Sequence, residues 1–237
     1  MDRRELLRVA GIASAGVLLP QVSAAAVVMQ QHAGSKEQEP EVTATEDLMR
    51  EHGVLRRALL VYAELVPRLR EKRTLDAAAL NRAAKLFHQF GEVYHEEMLE
   101  EQHIFPIVRK MTGRAAKYPD ILVGQHQRGR EITDYILATT AKGSIASANA
   151  EPLARALETM VRMYENHAAR EDTIVFPAWK TNFSNKQLDE IGDQFEDIEH
   201  KMFGKDGFDD AESQISQIEQ AFGLSDLSQF TAPPPPK

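Results

Sequence analysis

Apolar residues recur at three- and four-residue steps from Val42 to Phe222, and no stretch alternates as a half-buried strand would. The pattern predicts an all-α chain. A first helix opens near Thr45 with Leu48, Leu55, Leu59 and Tyr62 on one stripe, and Pro67 is expected to kink or end it. A second runs from about Leu75 and Asp76 to Met111 and is stopped by Gly113; a third follows Pro119 and reaches about Ala141. After the loop-like "AKGSIASANAEP", a fourth carries Pro152 in its first turn and reaches about Lys180, where "TNFSN" breaks it. Residues 186–203 and 209–222 read as further amphipathic packing helices. Four long helices with short connections predict an antiparallel four-helix bundle with additional C-terminal helices, an architecture whose core commonly holds metals and cofactors.

Each of the four stripes is interrupted by a polar residue. On the second helix Leu86, Phe90 and Val93 lead to Glu97 and Glu100 before Ile104 resumes the apolar pattern. On the fourth, Leu157, Met160 and Tyr164 lead to His167 and Glu171, then Ile174. His52 lies between Leu48 and Leu55 on the first helix, and His126 follows Leu122 by four residues on the third. A buried charge costs several kcal/mol unless it is paired or bound to metal. One such histidine is an ordinary core residue; four helices repeating the pattern point to a shared site. Residues four apart on a helix differ by about 40° in direction, so His167 and Glu171 can converge on one metal centre. The corresponding carboxylate of the second helix can bridge to another metal.

The chain also echoes itself. "EEMLEEQHIFP" (residues 96–106) and "HAAREDTIVFP" (residues 167–177) share a fifth-place Glu, an acid at the sixth place and a final Phe-Pro. The second and fourth helices are thus equivalent members of two helix pairs.

Composition narrows the chemistry. With no cysteine among 237 residues, thiolate sites, disulfides and thiol catalysis are excluded, and any metal is held by His and carboxylate, a set suited to iron, manganese or zinc. A net charge of −8 gives no basic footprint for nucleic acid. No Gly-rich phosphate loop opens a strand–helix unit, and no Ser/His/Asp arrangement is recognisable. Residues 1–30 have the layout of an export signal: Arg3-Arg4, a short weakly apolar run and small residues near Ala24, similar to a twin-arginine leader. This predicts an exported, periplasmic protein without a stable membrane anchor. Residues 31–43 read as a linker, 44–180 as the bundle, 181–224 as the extra helices and 225–237 as a disordered Pro-rich tail.

The motifs "EHGVLRR", "YHEEMLEEQHIFP", "QHQRGRE" and "NHAAREDTIVFP" resemble those of hemerythrin-type (HHE cation-binding) domains over about residues 44–180. The resemblance implies a non-haem di-iron centre held by histidines and two bridging carboxylates, with His52, His126, His167 and Glu171 as ligands and Glu100 as the second bridge. Two departures stand out. Where oxygen carriers of the family place a second histidine on the third helix, this chain has Arg130. And four residues before Glu100, where His167 precedes Glu171, stands Glu96; His95 is five residues away and turned by about 140° from Glu100 in an α-helix. Either a π-bulge turns His95 inward, or Glu96 or Glu97 takes its place; His95 is preferred. Glu97 and Glu101 are candidate ligating or supporting carboxylates. His103 is expected at the surface, His88 and His200 lack convincing acidic partners, and His32 lies in the linker. Tyr62, Tyr94 and Tyr164 are aromatic neighbours of the site able to hydrogen-bond a ligand.

These features lead to a di-iron protein handling O2, NO or peroxide. The alternative is a di-iron redox enzyme of ferroxidase, peroxidase-like or NO-reducing type. Manganese and zinc rank behind iron.

Overall fold

The computed structural model describes residues 42–236; the expected export signal and all but the last two residues of the expected linker lie outside them. Every regular element among the described residues is helical. Helix α1 spans Ala44–Arg70, with the Thr43 hydroxyl accepting from the Glu46 N–H at its start. It continues past Pro67, whose carbonyl accepts from the Glu71 N–H. Helix α2 (Ala77–Leu86), capped by Asp76, runs on into a π-helical segment π1 (Phe87–Ile104) and a closing turn α3 (Phe105–Val108). Helix α4 is Pro119–Thr140. Helix α5 (Ser147–Arg170) continues through a second π segment, π2 (Glu171–Val175), into α6 (Phe176–Lys180). It begins earlier than predicted, so Pro152 lies inside the helix and not in its first turn.

These rods form the predicted antiparallel four-helix bundle. Helix α1 packs most extensively on α5, α2 and π1 pack on α4, and α4 packs on α5. The core holds Leu48, Tyr62, Leu86, Phe90, Leu122, Leu157 and Met160, residues of the apolar stripes. Two further helices follow: α7 (Asn185–Phe203), opened by a Ser184–Gln187 capping box, and α8 (Gly207–Phe222), capped by Asp206. Gly204 and Gly223 end them at φ 69° and 70°, a conformation glycine adopts without steric cost. Both pack on the side formed by α1, α2 and π1. Among the described residues, no helix is long and apolar enough to cross a membrane.

The π segments share one design. The Phe105 N–H bonds to the Glu100 carbonyl and the Phe176 N–H to the Glu171 carbonyl, five residues back in each case. Each is followed by proline (Pro106, Pro177), which has no N–H and whose ring clashes with a carbonyl four residues back in a regular α-helix. The wider π turn suits that constraint. It also shifts the phase of the chain: Val175 is buried where α-periodicity predicted Ile174, and Glu92 is buried where it predicted Val93.

Candidate metal centre

Six buried side chains converge at mid-bundle: His52 from α1, His95 and Glu100 from π1, His126 from α4, His167 from the end of α5 and Glu171 from the start of π2. Glu100 stands between two histidines, its Oε1 3.4 Å from His95 Nε2 and its Oε2 3.3 Å from His126 Nε2. Glu171 does the same, with Oε1 3.0 Å from His167 Nε2 and Oε2 3.5 Å from His52 Nε2. The arrangement therefore has two halves. One is His52 and His95 with one oxygen from each carboxylate; the other is His126 and His167 with the remaining two oxygens.

The π register explains His95. Pairing five apart stacks residue 95 beneath residue 100, so the histidine that an α-helix would turn away is 1% exposed and faces Glu100. The same shift leaves Glu97 exposed and outside every His/carboxylate group found among the described residues. The expectation that Glu97 faces the core is thus corrected. Glu96 is buried but turns toward α4 and α5, where its Oε1 accepts from the Tyr164 hydroxyl at 2.7 Å.

Each histidine is fixed from behind through Nδ1. His52 meets Asp172 at 2.7 Å, His95 meets Glu51 at 2.6 Å, His126 meets Glu101 at 2.8 Å and His167 meets the Gln125 Oε1 at 2.9 Å. These oxygens only accept, so Nδ1 carries the hydrogen and the Nε2 lone pair points into the cluster. Arg56 pairs with Asp172, and Arg130 holds Glu101 at 2.7 Å.

The residues fit a pair of cations. Both carboxylate oxygens of Glu100, both of Glu171 and His95 Nε2 are buried without a hydrogen-bond partner among the described residues. Leaving such groups unsatisfied costs about 1–3 kcal/mol each, and more when charged. Electrostatics point the same way. Burial opposes charge on His95, but Glu100 and Glu51 outweigh it and raise its pKa well above the ordinary imidazole value. Burial likewise opposes charge on His126, yet Glu96, Glu100 and Glu101 push it up to about 10. Burial favours a neutral Glu100, but His95 and His126 hold it well below the usual carboxylate range. The carboxylates demand positive charge at this point of the core, from protons or from metal.

The profile of the hemerythrin HHE cation binding domain matches residues 43–179, more than half of the chain. The chain belongs to this family. The chain is also similar to uncharacterized proteins of Mycobacterium tuberculosis and Mycobacterium bovis. Each is 44% identical over 196 residues, which cover 82% of this chain and 76% of the relative. No solved structure matches.

Within the family frame, Arg130 occupies the place expected for a further histidine, but it faces Glu101 and, at 3.5 Å, Glu96. Three supporting residues had escaped the sequence reading: Glu51, Gln125 and Asp172. Each adjoins a cluster residue in the chain (His52, His126, Glu171), which was the available signal. His88 also departs from expectation, since its Nδ1 lies 2.8 Å from the buried Glu92. His103 is half-buried against the Phe195 ring, and His200 is exposed; neither joins the cluster. Tyr94 bonds Glu51, Tyr164 bonds Glu96, and the Tyr62 hydroxyl is buried without a partner among the described residues.

Proposed function

We propose that this hemerythrin-family chain holds two non-haem irons and handles a small ligand such as O2, NO or peroxide. The observation carrying the proposal is that Glu100 and Glu171 each offer separate oxygens to two different histidine pairs. In this reading His52 and His95 would hold one iron and His126 and His167 the other, with Glu100 and Glu171 each offering an oxygen to both. A reduced iron pair supplies electrons to a ligand that it binds. Manganese and zinc accept the same donor types and rank second.

The protein's own part is to orient, enclose and limit. The four Nδ1 partners lock the imidazoles, and the dry core sharpens every charge interaction. A cavity beside His52, His95 and Glu100 has room for roughly one water-sized molecule. Leu55, Leu59 and Tyr164 wall it, which favours a diatomic or peroxidic ligand over a larger substrate.

One observation favours turnover over reversible binding. Glu96 also lines this cavity, its Oε1 accepting from the Tyr164 hydroxyl and its Oε2 3.5 Å from Arg130, so a carboxylate able to relay a proton stands beside the space for a ligand. Rapid mixing of reduced, iron-loaded protein with O2, NO or H2O2 separates the two. A stable adduct released on lowering ligand pressure supports binding, and repeated consumption supports a redox enzyme. Unchanged spectra with all three would refute ligand handling. Export through the twin-arginine-like leader is part of the same proposal, because that route carries folded, metal-loaded protein; cell fractionation tests it.

A further inference from the structure

The pseudo-twofold design of the centre breaks at one pair of equivalent places. Glu51 directly precedes His52 on α1, and Gln125 directly precedes His126 on α4. Each reaches across to the histidine of the neighbouring π-containing rod: Glu51 to His95 at 2.6 Å, Gln125 to His167 at 2.9 Å. The residue after each central carboxylate completes the pattern, Asp172 holding His52 and Glu101 holding His126. Asp172 and Glu101 are matched, each being an acid shared with an arginine (Arg56, Arg130). The other pair is not matched. One half of the centre has a carboxylate behind its second histidine, and the other half has a neutral amide.

From this we infer that the two metal positions are unequal, and that Glu51 makes the His52–His95 position the tighter one. The inference rests on the two-metal reading above. A carboxylate accepting from Nδ1–H draws that hydrogen away and makes Nε2 a stronger donor, and an amide oxygen does so less. The surroundings magnify the difference. Glu51 is 1% exposed, and among the described residues no arginine or lysine pairs with it; its other oxygen accepts from the Tyr94 hydroxyl at 3.1 Å. Phe203 of α7 sets its ring edge-on against Tyr94, with centroids 5.5 Å apart, so the helix pair beyond the bundle seals this hydrogen-bond chain from water. Gln125 is only half-buried. Glu96 adds negative charge near His126, but at 3.9 Å it makes no hydrogen bond to that Nδ1, it lies 3.5 Å from Arg130, and it leaves His167 with only its amide partner.

The test is anaerobic calorimetric titration of Fe(II) into chelator-stripped full-length protein, with circular dichroism to verify folding of each variant. The wild type is expected to bind two irons in two resolved steps. Glu51→Gln is expected to weaken the tighter step by about 10–100-fold and merge it with the other. Gln125→Glu is expected to strengthen the weaker step by about 10-fold or more, and it does not depend on how Glu51→Gln folds. Two irons bound with one indistinguishable affinity in the wild type would overturn the inference. So would a Glu51→Gln chain that keeps its tight step, or a Gln125→Glu chain with an unchanged weak step. Fewer than two irons per wild-type chain would instead remove the two-metal reading on which it rests.

Discussion

The Nε2 atoms of His126 and His167 lie 3.1 Å apart in the core, each with its Nδ1–H already committed to an outer oxygen. Two bare lone pairs cannot face each other at that distance: either one nitrogen carries a proton that the other accepts, or a metal cation takes both. Replacing either ring should therefore remove one of two metals and leave the His52–His95 position filled. Metal analysis of His126→Ala and His167→Ala checks this, and a variant that still carries a full complement would disprove the assignment of that histidine.

Protons compete with metal for these nitrogens, and the direction of competition follows from the shifts. His126 is raised to about 10 and His95 is raised well above its ordinary value, so the metal-free fold carries protons that the unfolded chain loses near pH 6.5. A raised folded-state pKa adds stability that is complete below the unfolded value and lost as pH rises through the folded one. The metal-free protein should thus lose melting temperature between about pH 6.5 and 10, while the metal-loaded protein does not. Over the same window, metal uptake should tighten with pH and release protons. Melting curves at stepped pH, with and without chelator, report both.

Tyr164 and Gly129 form a separate test of the core. A Cβ on Gly129 would lie 2.0 Å from the Tyr164 hydroxyl and 2.9 Å from the ring carbon that bears it. Gly129→Ala should destabilise by about 1–3 kcal/mol through this overlap. Tyr164→Phe should cost a similar amount, because it strips the buried Glu96 of its hydroxyl partner. Combined, the two changes should cost less than their sum, since the phenylalanine removes the worst contact. Denaturant unfolding of the single and double variants measures the coupling; strict additivity would contradict the geometry.

The C-terminal helices are tied to the bundle partly by Arg57. Its guanidinium reaches Glu219, Glu212 and Ser216 on α8, one residue along α1 from the Arg56 that pairs with Asp172. The network is partly exposed, so Arg57→Ala should cost only about 1 kcal/mol, and less at high salt. Unfolding with and without 1 M salt, on the order of a 3 Å screening length, tests this. Equal costs in the two conditions would show that packing, not charge, makes the attachment.

Much of this was legible in the chain. The four stripes located the helices because burial of an apolar face dominates their stability. The polar interruptions at His52, Glu100, His126, His167 and Glu171 were visible because charged groups rarely stand on such a face. What was harder to read follows from two physical causes, the first of them the π register. An α-helical ruler turns His95 away from Glu100, and only the π-bulge alternative brought it inward, as the structure has it; the same ruler put Glu97 on the core stripe, where pairing five apart exposes it. The repeated Phe-Pro marks where that register ends, though nothing in its composition states how far back it extends. Glu51, Gln125 and Asp172 escaped because their part depends on contacts between helices, which periodicity along one helix does not encode.

Two metal positions in this cluster require two bound ions. Purified protein, stripped by chelator and reloaded anaerobically with Fe(II), should retain two irons per chain after desalting. By linkage, its melting temperature should rise by several degrees, a stabilisation of about 3 kcal/mol at one hundred times the dissociation constant. A chain that retains no iron, with a melting temperature unchanged by loading, would contradict the account.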